Sequence, residues 1–306
     1  MMRTMLSLLL AALVLYGCST PATAVPPTLA ASPPTAVPTA TAAPTSTPTP
    51  IPPTPTATPL PGKMVLPIES FDSGIPWLPP PGPGVHFVAF NMARPPFDNA
   101  LVRQAFAHAI DRELIVAMAQ KYGKPNWTPA TTLTPPETLG RDLYNQLGTG
   151  FNPQQAKDLL AQAGYTDTSA FPAVKLIVPS HGDVAPGVRY NMAKAMANMW
   201  QENLGVTVTV EAIGGFRPYS TRVQTNPPEL FWIGWAADFN DPDNFMRIFH
   251  SASEYNYGKF FSAEYDRMVD NAAKLNDPAK RQLIYIRAEQ LLAETEAAVI
   301  PLYHTR

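Results

Sequence analysis

Asp238 is the residue of this chain with the most chemical promise. It stands three residues beyond Trp235, at the close of the apolar run 230–235, which reads as a central strand. A carboxylate there projects from a strand end, where open α/β sheets place their ligands. Asp238 also heads Asp238-Phe239-Asn240-Asp241-Pro242, and Asp and Asn dominate turns of that kind, so a turn-forming role stands beside the ligand role. Trp232 and Trp235, either side of Ile233, are read as sharing one side of the strand, Trp235 walling a ligand or packing in the core. The acidic run 238–244 does not make a calcium loop. An EF-hand needs oxygen ligands at alternate positions and Glu at the twelfth. Counting from Asp238 puts Pro242 fifth and Phe249 twelfth; counting from Asp241 puts Phe245 and Ala252 there. The five histidines, His86, His108, His181, His250 and His304, show no ligand-spaced pairing, and most of them read as surface or helix-face residues. No nucleophile elbow, phosphate loop or zinc-protease motif occurs, so no metal, cofactor or catalytic chemistry is expected.

The elements that must position these residues follow from periodicity. Residues 85–91 form an apolar run suited to a buried strand. Asp98 or Asn99 caps a helix whose apolar positions Leu101, Val102, Ala105, Phe106, Ile110, Leu114 and Met118 keep helical spacing. Asn152-Pro153 opens a short helix that Gly164 closes. A strand at 174–178 precedes a Met-rich helix over 188–204 ended by Gly205. Val206, Val208 and Val210 alternate with polar partners, a half-buried strand. Asp277-Pro278 opens a last long helix, and 298–303 is a final strand. Helices alternating with strands give an α/β domain.

Composition divides the chain further. Prolines number 36 of 306 residues and charged residues only 15%, both far from usual proportions. Residues 19–62 hold 14 prolines and 12 threonines and no Asp, Glu, Lys or Arg. Such a stretch cannot bury apolar surface and favours extended polyproline II, a tether reaching ~140 Å at most. The net charge of −2 leaves no basic surplus for phosphate backbones, so nucleic acid is excluded as a partner. One cysteine excludes a disulfide framework. That cysteine follows a leader with Arg3 in its charged region and an apolar stretch over 5–14. Leu15-Tyr16-Gly17-Cys18 resembles the lipobox of bacterial lipoproteins, in which the cysteine is lipidated and becomes the first mature residue; Tyr16 departs from the usual small residue. Cleavage after Ala22-Thr23-Ala24 is the alternative. The expected organisation is a signal peptide over 1–18, a Pro/Thr-rich linker over 19–83 and a folded domain over 84–306.

Four segments of that domain resemble family 5 of the extracellular solute-binding proteins, the oligopeptide- and dipeptide-binding receptors of ABC importers. They are NMARPPFDNALVRQAFAHAIDRE at 91–113, NPQQAKDLLAQAGY at 152–165, GWAADFNDPDNF at 234–245, and a stretch from Asn256 through Tyr265-Asp266 to Ile300-Pro301-Leu302-Tyr303. The resemblance implies the C-terminal lobe of a type II periplasmic-binding-protein-like fold. It also implies an extracytoplasmic protein, lipid-anchored to the membrane at Cys18, that captures a peptide or related small solute for an ABC permease.

A ligand's α-amine needs a carboxylate in a partly dry site. In peptide-binding members the Asp of the G-W-x-x-D segment supplies it, and that position is Asp238. Trp235 shapes the site, and Asn256 and Tyr257 line the cleft or form a surface turn. Arg189 lies near where dipeptide binders carry an arginine for the ligand carboxylate, with Arg217 and Arg222 as alternatives. Family members are about twice as long as this domain, so the expectation includes a truncated lobe that binds nothing alone. A non-peptide solute such as a sugar, nickel complex or haem is a further alternative.

Overall fold

The apolar runs become the inner strands of one mixed sheet in a computed structural model that describes residues 83–124, 126–140, 147–180 and 187–305. Cys18, the leader and the tether up to residue 82 lie outside the described residues, as does His181. The strands are β1 Gly84–Phe90, β2 Thr128–Pro129, β3 Val174–Ser180, β4 Val208–Gly214, β5 Leu230–Ala236 and β6 Val299–Thr305. Their order across the sheet is β2-β6-β1-β5-β3-β4. β1 runs antiparallel to both β5 and β6, whereas β3 is parallel to both β4 and β5. The run at 230–235 is thus an interior strand, as its unbroken apolarity requires.

Helices cover both faces. On one side lie α1 Ala100–His108, α2 Arg112–Lys121, α4 Pro153–Gln162 and α5 Val188–Leu204, burying Phe106, Ile115, Leu160 and Trp200 against Val88 and Trp232. On the other lie α6 Phe216–Thr225, α7 Pro242–Met246, α8 Ala263–Lys274 and α9 Pro278–Gln290, packing Tyr219, Phe245, Tyr265 and Tyr285 against Phe87 and Phe231. The short α3, Pro136–Leu139, precedes α4. Both helical layers bury aromatic side chains, each stabilising the fold by roughly 1.5–3 kcal/mol relative to exposure.

Local chemistry sets the boundaries. The spacing at 101–118 predicts one helix, but the structure has two. Asn99 caps α1 by accepting from Leu101 N–H at 2.9 Å, and Asp111 restarts the helix by accepting from Leu114 N–H at 3.2 Å. A side-chain acceptor that takes a backbone N–H is a helix start, not an interior residue. The break leaves Leu114 half exposed and directs buried Arg112 at the Pro301 carbonyl of β6, 2.7 Å away. α5 ends where expected, at Gly205 with φ 71°, the left-handed cap that glycine adopts without strain. α9 is capped by Asp277 through Ala279 and Lys280 N–H and then loosens into a π turn over Leu291–Thr295.

Two close contacts constrain the sheet and its flank. His86 of β1 pairs across to Gly234 of β5, and its imidazole lies over that glycine. A Cβ on Gly234 would come within 2.6 Å of the ring. The ring is held on its other sides, stacked on Tyr303 at 4.7 Å and accepting at Nδ1 from Trp232 Nε1–H at 3.1 Å. On α9, Glu289 is fully buried and accepts from the Leu133 and Thr134 backbone N–H groups at 2.5 and 3.1 Å. Burial outweighs those donors and pushes its carboxyl up to about 7, with Glu294 nearby adding to the rise.

Gly234→Ala should cost about 1 kcal/mol, the low end for overpacking, because the added Cβ meets the His86 ring on an exposed stretch of β5. Denaturant unfolding measures it, and an unchanged midpoint would contradict the contact. Glu289 predicts a pH dependence. The folded state holds the acid neutral up to about 7, whereas the unfolded chain ionises from its ordinary 4.5. The stabilisation from the raised value is therefore full below the unfolded value and is lost as pH rises through the folded one. Wild-type stability should fall between about pH 5 and about pH 8 by an amount on the order of 3 kcal/mol. Glu289→Gln, neutral throughout, should flatten that slope; an equal slope in both proteins would exclude Glu289 as its source.

Candidate functional site

β3 and β5 lie side by side but pair only at Leu176 with Leu230 and Ile177 with Phe231. Beyond that point they part. The chain leaves β3 through α5 on one face and returns from β4 to β5 through α6 on the other. This reversal is the topological switch at which open sheets hold ligands. The buried Tyr219 phenol of α6 fills the fork, donating to the Trp232 carbonyl and lying 3.5 Å from that of Ile177. Burial raises its ionisation far above the ordinary value, so it remains a donor at any physiological pH. Above it opens a cavity of about 490 Å³ lined by His86, Arg189, Phe216, Trp232, Trp235 and Tyr257, among others. That volume is within the usual range for small-molecule sites.

A second cavity, of about 570 Å³, adjoins the first. Asp238, Asn244, Arg247, His250 and Glu254 line it, and Trp235, Ile248 and Tyr255 line both. Trp235 is fixed by a 2.8 Å hydrogen bond from its Nε1–H to Asn244 Oδ1 of α7. Tyr255 packs edge-on to it at 5.1 Å. The Tyr255 phenol titrates above its ordinary value because the Glu254 carboxylate is beside it, with a smaller push from Asp238. Asp238, Asp243 and Glu254 line this second cavity together with Arg247.

The acidic loop after β5 divides its carboxylates between two tasks. Asp241 caps α7 through Asp243 N–H and holds Arg281 bidentately at 2.8 and 3.0 Å. Asp243 holds Arg247 in the same manner at 2.8 and 3.0 Å. These bonds tie the loop to α9 and to the turn after α7. Asp238 shares none of this work. It is exposed, two residues past β5, with no ion pair or hydrogen bond among the described residues. The turn-forming role that its sequence context allows falls to Asp241.

The other expected residues sort differently. Trp232 and Trp235 lie on opposite faces of β5, Trp232 in the core beneath α5 and Trp235 against the other layer. They are three apart, and a strand's period of two puts such residues on opposite sides; the expectation of a shared side is corrected. Asn256 is buried, with its Nδ2 donating to the Phe260 carbonyl at 2.7 Å and its Oδ1 accepting from Phe260 N–H at 3.0 Å. It staples the loop that presents Tyr255 and Tyr257. Tyr257 and Arg189 both line the first cavity, whereas Arg217 and Arg222 line neither.

Sequence reasoning missed His86, Tyr219, Glu254 and Tyr255. His86 and His304 are not surface residues. His304 is buried in β6 with Nε2 3.0 Å from the Thr132 carbonyl. His86 is held down to about 3 by burial and by Arg189, so it is neutral, and with Nδ1 accepting from Trp232 its hydrogen sits on Nε2.

Comparison with known proteins agrees with this geometry. The family model for bacterial extracellular solute-binding proteins, family 5 Middle, matches residues 52–257. The periplasmic oligopeptide-binding protein OppA of Salmonella typhimurium is 30% identical over 226 residues, covering 72% of this chain and 39% of that protein. The probable deoxycholate-binding periplasmic protein YgiS of Escherichia coli is 32% identical over 219 residues, covering 70% and 39%. The solved structure of the Escherichia coli murein tripeptide binding protein MppA superposes with a TM-score of 0.62 at 26% identity, covering 74% of this chain and 43% of that one. This chain thus spans about two fifths of the length of these relatives, and its sheet and helices have the architecture of type II periplasmic binding proteins. The switch-point crevice, the G-W-x-x-D loop and these matches together establish that the chain belongs to family 5 of the bacterial extracellular solute-binding proteins.

Proposed function

We propose that this chain captures a peptide, or a related amine-bearing solute, at the crevice between β3 and β5 for an ABC permease, and performs no reaction itself. The observation that carries this reading is Asp238, an exposed carboxylate without a partner among the described residues, lining a cavity walled by Trp235 and Tyr255. A ligand α-amine supplies the missing counter-charge, and the rings shield the pair from water. Arg189, in the adjoining cavity, receives the opposite end. Tyr257 lines the same cavity as Arg189, while Asn256 acts through the loop it staples. Cys18 carries the lipid anchor in this reading, and the Pro/Thr-rich stretch holds the lobe clear of the membrane on its outer side. The domain over 84–306 supplies one wall of the binding cleft. OppA and MppA, named for oligopeptide and murein peptide binding, support the ligand class.

A second reading is favoured by the aromatic lining of the first cavity around Arg189. An apolar carboxylate would fit there with its head on the guanidinium, and YgiS is named for binding deoxycholate.

Asp238→Ala should weaken binding of the dipeptide Ala-Ala on the order of 10–100-fold, the worth of a hydrogen bond to a charged group. Titration calorimetry on the full chain measures this, and equal affinity in both proteins removes the amine assignment. Deoxycholate separates the two readings. If it binds with an affinity that Arg189→Met lowers and Asp238→Ala leaves alone, while Ala-Ala does not bind, the apolar carboxylate is the ligand.

A further inference from the structure

The two cavities differ in kind although they share a wall. Asp238 and Glu254 line the second cavity and not the first. Arg189 lines the first and not the second. Trp235, Ile248 and Tyr255 form the partition common to both, and Asn244 locks the Trp235 ring in place. Any group that places an amine on Asp238 therefore has its nearest substituents against that partition. On the partition's other side is a cavity of about 490 Å³, with Phe216, Phe231, Trp232 and Phe249 among its walls. His86 at its edge is neutral and adds no charge there.

We propose that the first cavity, the one lined by Arg189, is a side-chain subsite that selects amine-bearing ligands with a bulky apolar group, of aromatic size, within a few bonds of the amine. The inference rests on Asp238 as the amine anchor and deepens that reading by naming the ligand class. Its physical basis is the division of charge. The amine finds its carboxylate on one side of Trp235, and a ring crossing the partition exchanges water for aromatic faces on the other. A basic side chain in the same place meets Arg189 and loses its hydration. A small side chain leaves the cavity unfilled and gains nothing from its walls. Tyr219, donating to the Trp232 carbonyl, keeps the fork under the cavity from closing onto the strand.

Calorimetry of the full chain with four probes tests it: Phe-Ala, Ala-Ala, Lys-Ala and N-acetyl-Phe-Ala. Phe-Ala should bind about tenfold or more tighter than Ala-Ala, the return for burying a large apolar side chain. Lys-Ala should bind no tighter than Ala-Ala, and acetylation should abolish the advantage of Phe-Ala. Ser220 lines the Arg189 cavity only, and Ser220→Trp, by filling it, should bring the ratio of Phe-Ala to Ala-Ala affinity close to one. Equal affinity for Phe-Ala and Ala-Ala, with binding still lost on acetylation, overturns the subsite and leaves the amine anchor standing. Equal affinity for Phe-Ala and its acetylated form, or no binding by any probe, overturns the anchor and the subsite together. A Phe-Ala preference undiminished in Ser220→Trp places the selectivity elsewhere and also overturns the subsite.

Discussion

The parting of β3 from β5 is the constraint on which the rest of this molecule depends. Two parallel strands that paired along their full length would leave no crevice. Here pairing stops after two residues, and the open backbone of β5 must be satisfied by something else. Tyr219 does so for the Trp232 carbonyl, at the price of burying a phenol that can no longer ionise. That hydroxyl comes from the helix that returns the chain from β4, so the crossover that creates the switch point also supplies the group that keeps it open. Trp232 is held from both ends, its carbonyl by Tyr219 and its indole N–H by His86. The floor of the crevice is therefore rigid, and the His86–Gly234 contact extends that rigidity to β1.

Above the floor, electrostatics decides which groups remain for a ligand. Solvent-exposed ion pairs contribute little, commonly 0–1 kcal/mol, but bidentate Arg–carboxylate geometry adds direction to that energy. Asp241 with Arg281 and Asp243 with Arg247 are both of this type. They orient the loop after β5 more than they stabilise the fold. Because those arginines are committed to Asp241 and Asp243, no cation of the loop neutralises Asp238. An acidic loop with all its carboxylates paired would have been structural and nothing more. This one is rigid at 241–247 and open at 238.

What could be read from the residues depended on whether the signal was local. Helix caps are local, and Asn152-Pro153, Asp277-Pro278 and Gly205 all mark true boundaries. The interior strand at 230–235 was legible because both of its faces are buried over its first half. The break between α1 and α2 was not, since Asp111 competes for a backbone N–H inside a stretch whose apolar spacing continues unbroken. The site was half legible. Asp238 follows from a strand end and a family motif, but the parity of Trp232 and Trp235 needed only the strand's period of two and was misjudged. His86, Tyr219 and Tyr255 reach the crevice from separate parts of the chain. Nothing in their neighbourhoods announces a strand pair that parts, because the fork is a property of three elements together.

The same geometry bears on how an exposed carboxylate would act as the proposed amine anchor. Opposite charges 4 Å apart attract by about 1 kcal/mol in bulk water and about 4 kcal/mol where the effective dielectric falls near 20. Asp238 alone sits close to the first limit. Trp235 and Tyr255 move it toward the second, since each ring displaces water from one side of the contact, and a bulky group on the ligand displaces more. In the proposed binding mode, affinity for the amine and affinity for the apolar group are coupled: each ring buried beside Asp238 would strengthen the ion pair, and an amine held there would align the group that enters the Arg189 cavity. A crevice built in this way discriminates by what lies next to the charge rather than by the charge itself. That property follows from a partition of aromatic rings set between a carboxylate and an arginine.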